Sequence, residues 1–309
     1  MGEAPALLAS QSHAEHDLRE LRALLVSEDV NEVVINPDGA VWVERADADH
    51  MIRTEHRFPP GKVLQLGRHL AGETMNRLGD RRPIVSGGLQ AFGQALRVQI
   101  VAPPAVEAGA SLSIRKYVSR ILDVAEIGFL HGRQVSVEGE RRARLAELAQ
   151  LAKAGRLQEL FEQAIAQRMN ILVSGGTSSG KTTVARALLS LAERAERLVT
   201  IEDARELHLP HPNSVALIAE RDAASERTPM RLLMAALRIS TIHADSPVLA
   251  LERLALMVLR TGTRQSRRDV LDYAGRTIDL IVQVGRRGGR RGVLEVFVPA
   301  LQKAAEPIP

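Results

Sequence analysis

The stretch NILVSGGTSSGKTTVARALLSLA, positions 170–192, constrains the fold of this chain more than any other. Ile171-Leu172-Val173 is a short apolar run that reads as a buried strand. Gly175, four further residues, then Gly180, Lys181 and Thr182 complete the phosphate-loop spacing G-x-x-x-x-G-K-[ST]. Val184, Leu188 and Leu191 follow at helical spacing, on the inner face of a predicted helix. Strand, glycine-rich turn and helix in that order predict an open α/β sheet with the turn at its ligand-binding edge. Glycines let backbone N–H groups converge on phosphate oxygens without Cβ clashes. The helix points its positive N-terminal end at the same anion. The candidate nucleotide-binding residues are therefore Gly175, Gly176, Thr177, Ser178, Ser179, Gly180, Lys181, Thr182 and Thr183. Lys181 would neutralise β- and γ-phosphate charge, and the Thr182 hydroxyl would hold Mg²⁺.

The rest of the composition narrows the class. At 309 residues the chain is long enough for two domains. Apolar residues at 45% and charged residues at 25% are an ordinary soluble balance, and no run approaches bilayer length. The first residues carry neither a basic start nor a signal-like apolar core, so a cytoplasmic location is expected. The absence of cysteine excludes disulfides, thiolate metal sites and a cysteine nucleophile. A net charge of only +4 and 3% aromatics argue against stable DNA binding.

Upstream, the chain reads as a mixed α/β domain. Two β-rich runs flank Asn36-Pro37-Asp38-Gly39, a hairpin turn. Val63, Leu66 and Leu70 predict a helix after Pro59-Pro60-Gly61. Two alternating strands follow: Leu96, Val98 and Ile100 face one way with Arg97 opposite, and Leu112 and Ile114 face in with Arg115 out. Arg97 and Arg115 could reach a common anion, or both could be solvated strand arginines. The chain then turns helical, with stripes Leu145, Leu148, Leu151 and Leu157, Leu160, Phe161, Ile165 on either side of Gly155. This places a domain boundary near Val135, giving domains 1–134 and 135–309.

Downstream of the loop, Leu198 to Ile201 reads as a buried parallel strand ending in Glu202-Asp203. On the ligand side of an open sheet these carboxylates could hold Mg²⁺ or orient water; otherwise they form a capping or exposed acidic pair. The segment ISTIHADSP has the same layout and delivers His243 and Asp245. His243 could read the γ-phosphate or be a hydrogen-bonded structural residue. His208 and His211 are separated by Pro210, so they form no helical metal pair. Leu251, Leu254 and Val258, with Met257 beside them, read as a helix core face. GRRGGRRG lies between two apolar strands as a hairpin tip, where Arg286, Arg287, Arg290 and Arg291 either touch anionic lipid or nucleic acid or stay solvated.

Taken together, GGTSSGKTT, TIEDARELHLPHPN, STIHADSP and LERLALMVL resemble the hexameric traffic ATPases of bacterial type IV secretion and conjugation, the type numbered eleventh among the VirB proteins. RPIVSGG, LRVQIV, SIRK, DLIVQVGR and GVLEVF extend the resemblance over nearly the whole chain. It implies a PAS-like α+β N-terminal domain joined to a RecA-like P-loop domain, six subunits in a ring, and ATP with Mg²⁺ bound between the domains. It implies that Lys181, Glu202 and His243 act in catalysis, that Glu202 joins Thr182 at the metal, and that Arg97 and Arg115 reach the nucleotide. It further implies other type IV secretion components as partners at the cytoplasmic face of the inner membrane. The lack of cysteine favours this branch over the type II secretion and pilus ATPases, which often carry paired CxxC motifs.

One departure from the resemblance bears on activity. The family carries, between the acidic and histidine segments, an apolar strand ending in a glutamate and then a helix. Here LLMAALR runs straight into ISTIHADSP at Arg238-Ile239, so a strand–helix unit of roughly 30 residues is absent. ALIAERDAAS does not replace it, and Glu220 reads as a solvated loop residue. The expectation is that nucleotide binding survives better than turnover. Three functions stay open: an ATP-driven secretion motor subunit, a poorly hydrolysing structural ring subunit, and an unrelated P-loop kinase.

Overall fold

The computed structural model describes residues 13–117, 134–220, 239–242, 244–259, 263–287 and 290–302, with positions 123, 129, 222, 225, 227, 228 and 232 between them. The chain divides into two compact α/β units. One holds residues up to 121 with 194–206 and 210–236; the other holds 122–193, 207–209 and 237 onward.

The first unit is built on a six-stranded antiparallel sheet of β1 (Val30–Ile35), β2 (Ala40–Arg45), β3 (Ile52–Arg57), β4 (Ile84–Ala91), β5 (Gln94–Val101) and β6 (Ser111–Lys116). Its order is β3-β2-β1-β6-β5-β4. The β1–β2 turn is where the residue types predict it. The Gly39 N–H donates to Asn36 O at 2.8 Å, and Asp38 Oδ1 accepts from the Ala40 N–H at 3.1 Å. Gly39 sits at φ +85°, and a Cβ there would lie 1.7 Å from the Phe58 carbonyl oxygen, so only glycine fits. The predicted helix spans Pro60–Glu73, with proline in its first turn. Its Val63, Leu66 and Leu70 are buried against Leu96, Val98, Ile100, Leu112 and Ile114 of the sheet.

The acidic segment departs from expectation. β8 (Leu198–Glu202) is a parallel strand, but its partner is β9 (Ser214–Ile218), and the two form a separate sheet within the first unit. The expectation of a strand in the phosphate-loop sheet is corrected accordingly. Two forces hold it here. Val199, Ile201, Val215 and Leu217 join a core with Val101, Ala105, Val106 and Leu232. Arg197 Nη1 donates to Asn36 Oδ1 at 2.8 Å and to Asn213 Oδ1 at 2.9 Å, and Asn36 Nδ2 donates to Asn213 Oδ1 at 3.0 Å. Burial pushes the Arg197 guanidinium down to about 10, with the Glu32 charge opposing. Strand pairing depends on contacts far apart in sequence, which the local pattern of Leu198 to Ile201 does not contain.

The second unit has a four-stranded sheet of order β10-β7-β11-β12: β7 (Ile171–Gly175), β10 (Ile239–Ile242), β11 (Leu280–Arg287) and β12 (Arg290–Phe297). β7 runs parallel to both neighbours, and β12 returns antiparallel to β11. Among the described residues β10 has β7 as its only strand partner. Period-two alternation splits the core into two layers. Ile171, Val173, Leu280, Val282 and Val284 pack with Leu145, Leu148, Leu160, Ala185 and Leu188 of helices Val137–Lys153, Leu157–Ala166 and Lys181–Ser190. Leu172 and Ile281 pack on the opposite face with Ala250, Leu251 and Ala274 of helices Pro247–Leu259 and Arg267–Thr277. Leu251 is buried and Leu254 half-buried as expected of a core face, whereas Met257 is exposed. Gly155 ends the first of these helices at φ +71° and allows the turn into the second.

Asp279 fastens the base of this unit. Its Oδ1 accepts from Arg141 Nε at 3.1 Å and Nη2 at 2.7 Å, and its Oδ2 accepts from the Asn170 N–H at 2.8 Å. The carboxylate is 7% exposed and the guanidinium 25% exposed, so removing one partner strands the other out of water. Asp279→Ala is expected to lower stability by about 3 kcal/mol, read as a drop in the denaturant midpoint. Asp279→Asn, which keeps an acceptor, should fall between; an unchanged midpoint for the alanine variant would remove this clamp from the account.

Candidate functional site

The phosphate loop connects β7 to helix Lys181–Ser190 at the C-terminal edge of the sheet. Its path is set by two left-handed residues, Ser178 at φ +58° and Gly180 at φ +97°. A serine in that region is strained, and such strain concentrates where backbone amides must aim at a ligand. Gly175 is fixed by close approach instead. A Cβ there would lie 2.4 Å from the Val284 carbonyl oxygen and 2.5 Å from Ser179 Oγ.

One buried polar group of the loop lacks the partner an anion would provide. Ser179 is 4% exposed, and its Oγ makes no hydrogen bond among the described residues. The helix starts at Gly180 with no side-chain cap, so its first-turn N–H groups are uncapped by side chains. Lys181 Nζ folds back to donate to Gly175 O at 2.9 Å and Gly176 O at 2.7 Å. Partial burial holds the Lys181 ammonium below the ordinary lysine range. Polyphosphate charge would raise it again, so binding takes up a proton. Affinity should therefore fall as pH rises through the interval between the lowered free-state value and the higher bound one. Calorimetry in buffers of different ionisation enthalpy should show this uptake below the ordinary lysine value, and no uptake in Lys181→Ala.

The histidine segment is anchored to the same strand. Ser174 Oγ donates to Ala244 O at 3.2 Å, and Gln283 Nε2 donates to the same oxygen at 3.1 Å. These two residues were not singled out from the sequence. Their signal was a polar residue inside an otherwise buried strand, ILVSG and LIVQV, where a polar group persists only with a partner. Their bonds fix the backbone immediately after His243, which itself lies outside the described residues. Asp245 comes next to the loop: a Cβ on Gly176 would be 3.7 Å from its Oδ1.

The remaining candidates belong to the first unit. Arg97 and Arg115 are directly opposite one another across β5 and β6, and both are exposed. Glu202 ends β8, where its Oε1 accepts from Thr200 Oγ1 and its Oε2 from the Glu206 N–H, both at 2.8 Å. Glu220 is an exposed residue whose Oε2 accepts from Arg227 Nη2 at 2.9 Å. The strands on either side of the expected hairpin tip pair, with Arg286 opposite Arg291 and Arg287 opposite Arg290. No helix among the described residues is long and apolar enough to cross a membrane.

A glycine-rich loop between strand and helix, with a buried hydroxyl lacking a partner among the described residues, does not by itself name a lineage. A family profile described as type II/IV secretion system protein matches residues 116–239. The type IV secretion system protein VirB11 of Brucella suis biovar 1 (strain 1330) is 34% identical over 311 residues, taking in 86% of this chain and 83% of that protein. The chain belongs to the VirB11 family. PtlH, a type IV secretion system protein of Bordetella pertussis, is 32% identical over 93% of this chain and 95% of its own length. The crystal structure of the VirB11 ATPase from the Brucella suis type IV secretion system, in complex with sulphate, superposes with a TM-score of 0.78 at 29% identity, covering 94% of this chain and 96% of that one. The profile match stops at residue 239. The Brucella suis alignment runs over 311 positions while taking in only 86% of a 309-residue chain, so dozens of its positions have no counterpart here.

Proposed function

We propose that this chain is the ATP-binding motor subunit of a type IV secretion machine, with a PAS-like domain over 1–134 and a RecA-like domain over 135–309. It works as a homo-hexamer with other secretion components at the cytoplasmic face of the inner membrane. The observation that carries the reading is the phosphate loop, with its Gly175 close approach, left-handed Ser178 and unpartnered buried Ser179 hydroxyl. These fit a polyphosphate. Gly176, Thr177, Ser178, Ser179, Gly180 and Thr183 offer amides, and Lys181 exchanges its loop carbonyls for phosphate oxygens. Thr182 and Glu202 are the residues that would hold Mg²⁺, which neutralises phosphate charge when bound. Arg97 and Arg115 add positive charge from the first domain; like charges opposite one another gain from a shared anion, which supports the role. His243 couples nucleotide state to the backbone held by Ser174 and Gln283. Titrating ATP and ADP into the purified chain tests the reading: saturable, Mg²⁺-sensitive binding is expected, and its absence overturns it.

A second reading, of a ring subunit that binds nucleotide and turns it over poorly, is favoured by a specific observation. β10 has a strand partner on one side only among the described residues, where the family resemblance places the glutamate-bearing strand on the other. The end of the profile match at 239 and the unmatched alignment positions support the same reading. ATP hydrolysis measured beside nucleotide affinity separates the two.

A further inference from the structure

The sequence leaves the arginine hairpin between β11 and β12 as a solvated tip or a contact for anionic lipid or nucleic acid. Its register places part of it elsewhere. β11 pairs with β7 up to Val284 opposite Gly175, the last residue of β7. Gly285 to Arg287 therefore continue past the end of β7, alongside the phosphate loop. On the returning strand Val293 pairs with Val284 and packs in the core with Val184, Ala185 and Leu188 of the loop's own helix. Arg291 is two residues before Val293 and so shares its face of the sheet. It comes out beside the N-cap of that helix: a Cβ on Gly180 would lie 3.5 Å from Arg291 Cδ and 3.8 Å from Arg291 Cβ.

The charges here are unfavourable unless an anion is present. Arg291 is exposed and makes no hydrogen bond or ion pair among the described residues. It stands directly opposite Arg286 in the strand register, a like-charge pair. It also adjoins the positive end of a helix dipole and the Lys181 turn. The Arg291 stem and the positive end of the helix therefore lie at the same end of the loop.

We propose that Arg291 is a nucleotide-binding residue, its guanidinium taking a phosphate oxygen of the nucleotide seated in the Gly175–Thr183 loop. The inference rests on the loop's binding nucleotide, and it adds to that site a cation from the last hairpin of the same domain. A guanidinium suits the task because its planar fork donates two parallel bonds to a phosphate and stays charged at every physiological pH. The stem's position over Gly180 puts the group at the loop's exit, on the helix side of the site.

The test is calorimetric titration of ADP and of inorganic pyrophosphate into the intact chain. Wild type is compared with Arg291→Ala, Arg291→Lys, Arg290→Ala and Lys181→Ala. Arg291→Ala is expected to weaken both ligands about tenfold, the effect of one charge-assisted bond. Arg291→Lys should recover part of the loss, and Arg290→Ala should bind as wild type. Position 291 is exposed, so the variants should melt with the parent; should the alanine variant unfold, the lysine variant carries the comparison. Unchanged binding in Arg291→Ala, with Lys181→Ala impaired, overturns this inference alone. So does a loss for ADP without a loss for pyrophosphate, which assigns Arg291 to the base. An equal loss in Arg290→Ala also overturns it, since net charge would then explain the effect. If Arg291→Ala instead loses binding to vesicles of anionic phospholipid while holding nucleotide normally, the hairpin is a membrane contact. If Lys181→Ala binds both ligands as tightly as wild type, the loop reading itself fails, and this inference with it.

Discussion

Replacing Lys181 by alanine is expected to weaken ATP binding by a hundredfold or more, leaving the fold intact. The argument starts from where the ammonium sits. Its Nζ holds two loop carbonyls, of Gly175 and Gly176, at 2.9 and 2.7 Å, so it is already drawn over the mouth of the loop. Burial disfavours its charge in the free protein, which makes the ammonium a stronger donor to an incoming anion. Hydrogen bonds to charged groups contribute about 1.5–3 kcal/mol each, and the ammonium can make two such bonds to β- and γ-oxygens. At 1.4 kcal/mol per tenfold, their loss reaches roughly a hundredfold. Stability should hardly change, because Lys181 is no part of the apolar core. Equilibrium titration of a fluorescent ATP analogue, with a thermal melt on the same sample, checks both halves. Wild-type affinity in Lys181→Ala would dismiss the loop as the nucleotide site.

How much of this was legible beforehand depends on how local each feature is. The strand–loop–helix of 170–192 and the Asn36–Gly39 hairpin were readable because their signals are short-range: apolar periodicity, and residues able to take φ above zero. The helices on either side of Gly155 were readable for the same reason. The placement of Leu198–Glu202 was not. An apolar strand can pair with any compatible edge, and the choice was made by Arg197, Asn36 and Asn213, separated by up to 177 positions. β4 escaped notice because Ser86, Gly87 and Gly88 interrupt its apolar pattern, while its pairing to β5 is continuous over all eight residues. At the site, the loop residues were legible from spacing alone. Ser174 and Gln283 were not, since their importance lies in sharing one acceptor, Ala244 O, from two different strands. Arg291 looked like one of four equivalent loop charges, and only the strand register distinguishes it from its neighbours.

The second large effect concerns turnover. This chain is expected to hydrolyse ATP at least a hundredfold more slowly than the Brucella suis VirB11 relative assayed beside it, with nucleotide affinities within about tenfold of each other. Positioned acid–base groups contribute roughly 10²–10⁴ in rate, and the expectation follows from the proposed reading of Arg238-Ile239, in which the segment that carries such a glutamate in the family is missing. Affinity depends on different atoms. Loop amides, Lys181 and the helix N-terminus lie wholly within 175–190, which the junction does not touch. On the proposed function, binding and turnover are thus governed by separate elements, of which the chain retains the first. Inserting the relative's strand–helix segment at the junction should raise the rate while leaving affinity alone, because it would pair with the side of β10 that has no strand partner among the described residues. Turnover equal to the relative's would mean that a carboxylate already present does the work. Asp245 would then be the residue to replace, since its Oδ1 is 3.7 Å from the Cβ position of Gly176 at the start of the loop. Asp245→Asn would have to lower the rate without changing affinity, an outcome that a solvated aspartate at the end of β10 could not produce.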